Sequence, residues 1–413
     1  MKMNQAEPTQ QSASKTRSCA PRTVRNLVQL GFWAPSMAFL RRCSEAGIAV
    51  HLMPLVDPST ANPQFRSQKP SAAITSLGER IPWGIDKSPQ TLDTILRFVQ
   101  SVHADAISSD DEATLLWLSR HRKSLEPDCR VMASPEASIQ QLTRKSEQTA
   151  LAARSGFAVL PTWLLHTQKD AETLPEASFP LCLRPTQINS VQPVFKAQRV
   201  DSPSHLHNFL DSLQWTSPLI AQTFCLGPNL VLHGVRGVDG RILALECFQT
   251  LRKHHGFALT IQRCTTPPSV HAAALRFAEL ANLHGPFHFD LLQSAESGEV
   301  YFLEVNYRMG GTTAKVARIG FDEPMLALQA FDLCPPHSPP PLHHSKSATG
   351  KRMLLGSMLE SLLRPAGALD YPQSSRLHRF FDSAVQLLTV PDALLSRKDL
   401  RGSLWYLRYG GRM

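Results

Sequence analysis

The sequence predicts an α/β N-terminal doubly wound lobe, then α+β lobes built on an antiparallel sheet, then a mainly helical C-terminal segment. Three observations carry this reading. Over the first 135 or so residues, short apolar runs alternate with helical patterns. Between 180 and 265 the hydrophobic period changes to 2. Beyond a proline-rich stretch at 335–341 the pattern becomes helical.

Residues 24–30 read as the first strand. The loop Gly31-Phe32-Trp33-Ala34-Pro35 follows, and Ser36 caps a helix expected to run to Ala46, where Gly47 stops it. A second strand is expected at 48–53, with helices near 90–102 and 110–123 around a strand at 104–108, and a further strand at 129–133. Strands alternating with helices imply parallel pairing through crossovers, so 24–135 forms one doubly wound lobe. It lacks Gly-x-Gly-x-x-Gly and is not read as a dinucleotide site.

A helix over 139–155 ends at Gly156, and 157–165 reads as a strand around Pro161. Strands follow at 180–184, 218–222, 229–236, 241–248 and 258–264, with Asp239-Gly240 as a hairpin turn signal. An Ala-rich helix over 268–283 leads to strands at 287–292 and 299–305, joined through Ser297-Gly298. Residues 136–333 therefore form the α+β part with its antiparallel sheet. Residues 334–349 read as a stiff linker around Pro-Pro-His-Ser-Pro-Pro-Pro, and 350–413 as a helical segment that closes the fold or caps a substrate entrance.

Composition bounds the function. Hydrophobic residues make up 42% and charged residues 19%, an ordinary globular balance. No apolar run reaches the roughly 18 residues of a spanning helix, and the start lacks a signal peptide's apolar core. Arg, Ser and Thr in 1–23 faintly suggest a transit peptide; Glu7 and the absence of an amphipathic period favour a disordered leader. The eight cysteines are scattered without CxxC or metal-ligand spacing, which points to reduced, mostly buried thiols of a cytoplasmic protein. Net charge is +9, and 345–413 holds 11 Lys/Arg against 5 Asp/Glu. A solvated basic surface explains that excess, and no nucleic-acid-binding signature accompanies it.

The stretch 287–311 carries the chemistry. On the strand 287–292, Phe289 and Leu291 point to one face and Asp290 to the other. On the returning strand, strict alternation gives Tyr301, Leu303 and Val305 one face and Phe302, Glu304 and Asn306 the other. A hairpin thus sets Asp290 across from Glu304 and Asn306, a hard-oxygen set suited to Mg²⁺ on triphosphate oxygens. Arg308 adds a fork for a phosphoryl group or carboxylate, and Gly310-Gly311 let the backbone approach closely. One acid alone would suggest a solvent-facing strand. Two acids, an Asn and an Arg among apolar residues indicate a site.

Here the chain resembles the ATP-grasp superfamily, in its carbamoyl-phosphate-synthase-like and amino-acid-ligase branches. There the last strand typically reads Leu-Glu-Ile-Asn-Pro-Arg followed by glycines. Leu303-Glu304-Val305-Asn306-Tyr307-Arg308 fits, with Tyr307 in place of proline. The resemblance implies that Asp290, Glu304 and Asn306 hold Mg²⁺, with Mn²⁺ as the alternative ion, and that Arg308 steadies the reacting phosphoryl group. The N-terminal lobe then matches the pre-ATP-grasp domain. Lys145, before Gly156 and Pro161-Thr162, resembles the helix lysine that reaches the nucleotide phosphates. Arg184-Pro185 stands where the second phosphate lysine and its proline are usual, and no glycine-rich flap follows in 186–192, so Lys196 is the further candidate. Gln222, Thr223, Phe224 and Cys225, before Gly227, resemble the hinge that reads the adenine edge. Arg252, in Arg252-Lys253-His254-His255-Gly256, resembles a basic segment facing phosphates or acceptor.

The implied activity is ATP-dependent ligation of a small carboxylate to an amine through an acyl-phosphate, with ATP and Mg²⁺ as cofactors. Small molecules are the expected partners, without nucleic acid or a membrane span, and with homodimerisation open. Competing readings are a degenerate nucleotide-binding module acting as an assembly partner, a biotin-type carboxylase with its carrier on another chain, and a basic nucleic-acid-binding protein.

Overall fold

The computed structural model describes residues 22–56, 69–83, 88–186, 190–195, 197–342 and 344–409. Lys196 and most of the expected leader lie outside the described residues. Arg22–Thr23, assigned to that leader by the sequence reading, instead pair in parallel with Leu333–Cys334.

The N-terminal lobe holds a five-stranded parallel sheet in the order Ile74–Leu77, Ala49–Met53, Asn26–Leu30, Ala106–Ser109, Arg130–Val131. Helices Ala34–Glu45, Pro89–Ser101 and Glu112–Arg120 make the crossovers. The inner strands are buried along nearly their whole length, as expected where helices cover both faces. Strand order reverses between Asn26–Leu30 and Ala106–Ser109, which opens a crevice beyond their C-terminal ends. Ile74–Leu77 escaped the sequence reading because Ile-Thr-Ser-Leu is too short and polar to carry a strand pattern.

Two further sheets follow. A small four-stranded antiparallel sheet runs Thr162–Leu165, Leu219–Thr223, Leu181–Pro185, Gln198–Val200, with its own core around Leu181, Leu183, Leu206 and Ala221. A seven-stranded sheet runs Ser347–Thr349, Phe257–Cys264, Ile242–His254, Asn229–Arg236, Gly285–Gln293, Val300–Asn306, Ala158–Val159. Beneath it Phe157, Phe277, Phe289 and Phe302 pack ring to ring at 5.1–6.4 Å, a geometry that adds to area burial. The single strand expected at 157–165 is two strands: Ala158–Val159 joins the large sheet and Thr162–Leu165 the small one. The helix expected over 139–155 breaks at Thr143-Arg144, so Lys145 opens the helix Lys145–Ser155.

The C-terminal helices Lys351–Leu363, Arg376–Thr389 and Leu400–Tyr409 lie against both large units. Arg41 Nε donates to Asp399 Oδ2 at 2.7 Å, and Ser71 Oγ and the Ala72 amide reach the same carboxylate. The proline-rich stretch is pinned to the N-terminal lobe, with Arg42 Nη1 donating to Pro340 O at 2.6 Å. It leads to Ser347–Thr349, an edge strand of the large sheet. Among the described residues no helix is long and apolar enough to cross a membrane.

Candidate functional site

A cavity of about 470 Å³ opens where the three units meet. Its floor is the hairpin of Gly285–Gln293 and Val300–Asn306, in which Asp290 pairs directly with Glu304 and His288 with Asn306. Asp290 and Glu304 line the cavity, and Asn306 Nδ2 donates to Asp290 Oδ2 at 3.2 Å. Lys145 Nζ stands 3.3 Å from Glu304 Oε2. Gln148 holds that lysine's helix to the strand: its Oε1 accepts from the Val305 amide at 3.1 Å. The expected oxygen set and the helix lysine are therefore brought together.

One face assignment is corrected. A β-bulge between Asp290 and Leu291 puts Glu304 and Phe302 on successive partners and leaves Leu303 extra. The bulge shifts the parity of the strand. Phe302 and Val305 consequently share the core, while Leu303 and Glu304 both face the cavity.

The opposite wall comes from the small sheet. Arg184 and Gln222 line it, with Arg184 Nη2 donating to Gln222 Oε1 at 3.1 Å. Arg184 Nε is buried without a protein hydrogen-bond partner, and a guanidinium so placed fits an anionic oxygen. Thr223, Phe224 and Cys225 continue the wall into the connection between the sheets. That connection is fixed by the Thr223 amide to Pro161 O (3.0 Å), Phe224 to Pro180 O (2.8 Å) and Ala295 to Leu226 O (2.9 Å). Gly227 is required there, since a Cβ would sit 1.9 Å from Gln293 O. Burial pushes the Cys182 and Cys225 thiols up, so both are inert wall rather than nucleophiles.

Two expected groups lie elsewhere. Arg252 is buried behind the sheet, its Nη1 on Asp382 at 2.7 Å and its Nη2 on Arg379 O at 3.0 Å, and it is not on the cavity wall. Register shifts on either side of Arg252 turn its neighbour Lys253 to the cavity instead. Lys253 Nζ donates to Asn229 Oδ1 at 3.1 Å and Gly227 O at 3.2 Å. Arg308 Nε reaches Glu112 Oε1 at 3.1 Å, at the start of the helix after the crevice strand of the N-terminal lobe. It thus faces a small second crevice rather than the main cavity. Beside it Asp110 is held up at about 6 by burial, against the pull of Ser36, which donates to it, and of Arg308.

Sequence reasoning missed Lys253, His288 and Lys315. Lys315, on the helix Thr313–Arg318, lines the cavity with Nζ on Ala258 O at 2.6 Å, and burial pushes it down to about 8. His288 is buried and stacks on His233 at 5.1 Å between ring centroids. Burial, His233 and Arg308 hold it well below the usual range, hence neutral. His233 is tied to Glu323 and Thr312, each at 2.8 Å, which fixes the loop bearing Gly310-Gly311. A Cβ on Gly310 would meet His288 Cε1 at 2.2 Å. Apolar groups close the far end: Met353, Leu369, Leu394 and Tyr406 from the C-terminal segment, with Ala34 and Pro35 from the first helix.

No family model and no curated protein matches the sequence. Solved structures do. An L-amino acid ligase from Bacillus licheniformis superposes with a TM-score of 0.56 at 15% identity, covering 78% of this chain and 76% of that one. An ADP complex of N5-carboxyaminoimidazole ribonucleotide synthetase gives 0.60 at 14%, covering 90% and 98%. The biotin carboxylase domain dimer of Hydrogenobacter thermophilus 2-oxoglutarate carboxylase, with MgADP and bicarbonate, gives 0.56 at 13%, covering 75% and 70%. The chain has the fold of the ATP-grasp enzymes.

Proposed function

We propose that this chain is an ATP-dependent carboxylate–amine ligase acting on an amino acid or similar small carboxylate. The observation that carries the reading is that Asp290, Glu304 and Arg184 line one cavity beneath the hinge segment 222–225, with Asn306 bonded to Asp290 and Lys145 ion-paired to Glu304. A carboxylate is a poor acyl donor because its leaving oxygen is anionic. Attack of its oxygen on the ATP γ-phosphorus releases ADP and forms an acyl-phosphate. The amine then attacks the carbonyl carbon, phosphate leaves, and the amine nitrogen loses a proton.

Asp290, Glu304 and Asn306 present a hard-oxygen donor set that fits Mg²⁺, which when bound neutralises phosphate charge. Lys145 and Arg184 hold the polyphosphate, with Lys196 as a further candidate. Gln222 to Cys225 carry the adenine. Lys253 takes the place first assigned to Arg252, facing the transferred group. Lys315 holds the anionic end of the carboxylate or its phosphate in a poorly solvated pocket, where a cation acts strongly. Arg308 positions the hairpin against Glu112, and it reaches the phosphoryl group only if that ion pair opens.

The test is a panel of amino acids, screened singly and in pairs for phosphate release from ATP, with products identified by mass. Pair-dependent phosphate release with a condensed product supports the reading; nucleotide binding without phosphate release from any pair contradicts it. That second outcome favours a nucleotide-binding module without turnover, for which the Arg308–Glu112 pairing and the arginine at 184 speak.

A further inference from the structure

Outside the cavity, one cluster combines two imidazoles and two carboxylates. The strand Ile242–His254 ends on His254, and the turn after it carries His255, which adopts φ 48°, the left-handed region. Successive residues of a strand point to opposite faces. The left-handed turn instead sets both rings on one side, with centroids 4.0 Å apart. Glu360, on the helix Lys351–Leu363, lies between them: its Oε2 is 3.1 Å from His254 Nε2 and 3.3 Å from His255 Nε2, and its Oε1 is 3.1 Å from His255 Nε2. Asp370 Oδ1 stands 3.4 Å from the other ring nitrogen of His254 and accepts from the His255 amide at 2.8 Å. Asp370 is itself fixed by the Gly367 amide at 2.9 Å and by Arg379 at 3.4 Å.

Four-coordinate zinc bonds nitrogen and oxygen at about 2.0–2.1 Å, so donors around it are separated by roughly 3.3 Å. The Glu360 carboxylate meets each Nε2 at about that spacing, 3.1 Å to His254 and 3.1–3.3 Å to His255. A carboxylate on the second nitrogen of a metal-bound imidazole is the usual way of orienting the ring, and Asp370 occupies that position. Arg379 sits on the other Asp370 oxygen, Oδ2. We propose that His254, His255 and Glu360 bind a divalent transition-metal ion of the zinc class, with Asp370 as the carboxylate that orients His254. The fourth position faces solvent, where the His255 side chain is 57% exposed. The ion staples the turn to the C-terminal helix. Gly256 and Phe257 of that turn, and Leu369 beside Asp370, line the main cavity, so the staple sets part of its rim. The inference is independent of the ligase reading.

The test uses the full chain, stripped with a chelator and titrated with Co²⁺. One equivalent should give the strong visible absorption of a four-coordinate site, and Zn²⁺ should displace it. His255→Asn, chosen because Asn tolerates left-handed backbone, and Glu360→Gln should weaken binding at least tenfold. Glu304→Ala should leave the band unchanged, which separates this site from the oxygen cluster. On the wild-type chain alone, Zn²⁺ should protect His255 from diethyl pyrocarbonate, read by peptide mass. An absent band, a band equal in His255→Asn and Glu360→Gln, or unprotected His255 would overturn the proposal.

Discussion

Glu304 is about one-third exposed and answers to both Lys145 and Asp290, so its carboxylate can be removed without opening the core. Glu304→Ala is expected to lower ATP turnover at least a hundredfold while the far-UV circular dichroism stays that of the parent. Parental turnover in the variant would remove the metal assignment. Lys315 makes a pH-dependent prediction. Burial depresses it to about 8, with Asp392 pulling the other way, so the folded chain releases this proton before the unfolded chain does. Its contribution to stability therefore grows as pH rises above about 8 and is lost as pH falls through that value. Against Lys315→Met, the wild-type chain should gain about 1.4 kcal/mol per pH unit between about pH 8 and 10 in urea denaturation. A flat difference would mean that the amine is charged and partnered when folded.

At the scale of elements, the loop after Val300–Asn306 offers an internal control. Gly310 has no room for a methyl group because His288 fills it, whereas nothing lies within 4 Å of a Cβ at Gly311. Gly310→Ala should cost about 1–3 kcal/mol by overpacking and Gly311→Ala less than about 0.5 kcal/mol, measured by urea unfolding. The same loop explains what was legible. Asp290, Glu304, Asn306 and Arg308 stood out because acids among apolar strand residues have no packing reason to be there. Alternation also paired Asp290 with Glu304 correctly. It failed at Phe302, and the resemblance to a basic segment picked Arg252 rather than Lys253, since the bulges that turn Phe302 inward and Lys253 toward the cavity leave no mark in the sequence. Lys315 and Tyr406 reach the cavity only through tertiary packing of helices far along the chain.

For the whole molecule, the C-terminal segment acts as a wedge between the N-terminal lobe and the large sheet. The sequence indicated its helices and that they close the fold or cap an entrance, but not the buried groups that dock them, such as Asp399. Burial alone would raise that carboxyl; Ser71, the Ala72 and Gly402 amides and Arg41 outweigh it and hold it below the usual carboxylate range. Its stabilisation is present above about pH 4 and lost as pH falls through its lowered value. Asp399→Ala should therefore destabilise the chain by about 3 kcal/mol at neutral pH, with the gap narrowing in acid. As a ligase, the chain must bind metal–nucleotide at the oxygen cluster and the cavity above it as one site. Titration calorimetry of a non-hydrolysable ATP analogue, with and without Mg²⁺, tests it most directly. One site per chain is expected, at least tenfold tighter with Mg²⁺, with that Mg²⁺ dependence lost in Glu304→Ala. Equal affinity with and without Mg²⁺, or unchanged binding in the variant, would contradict it.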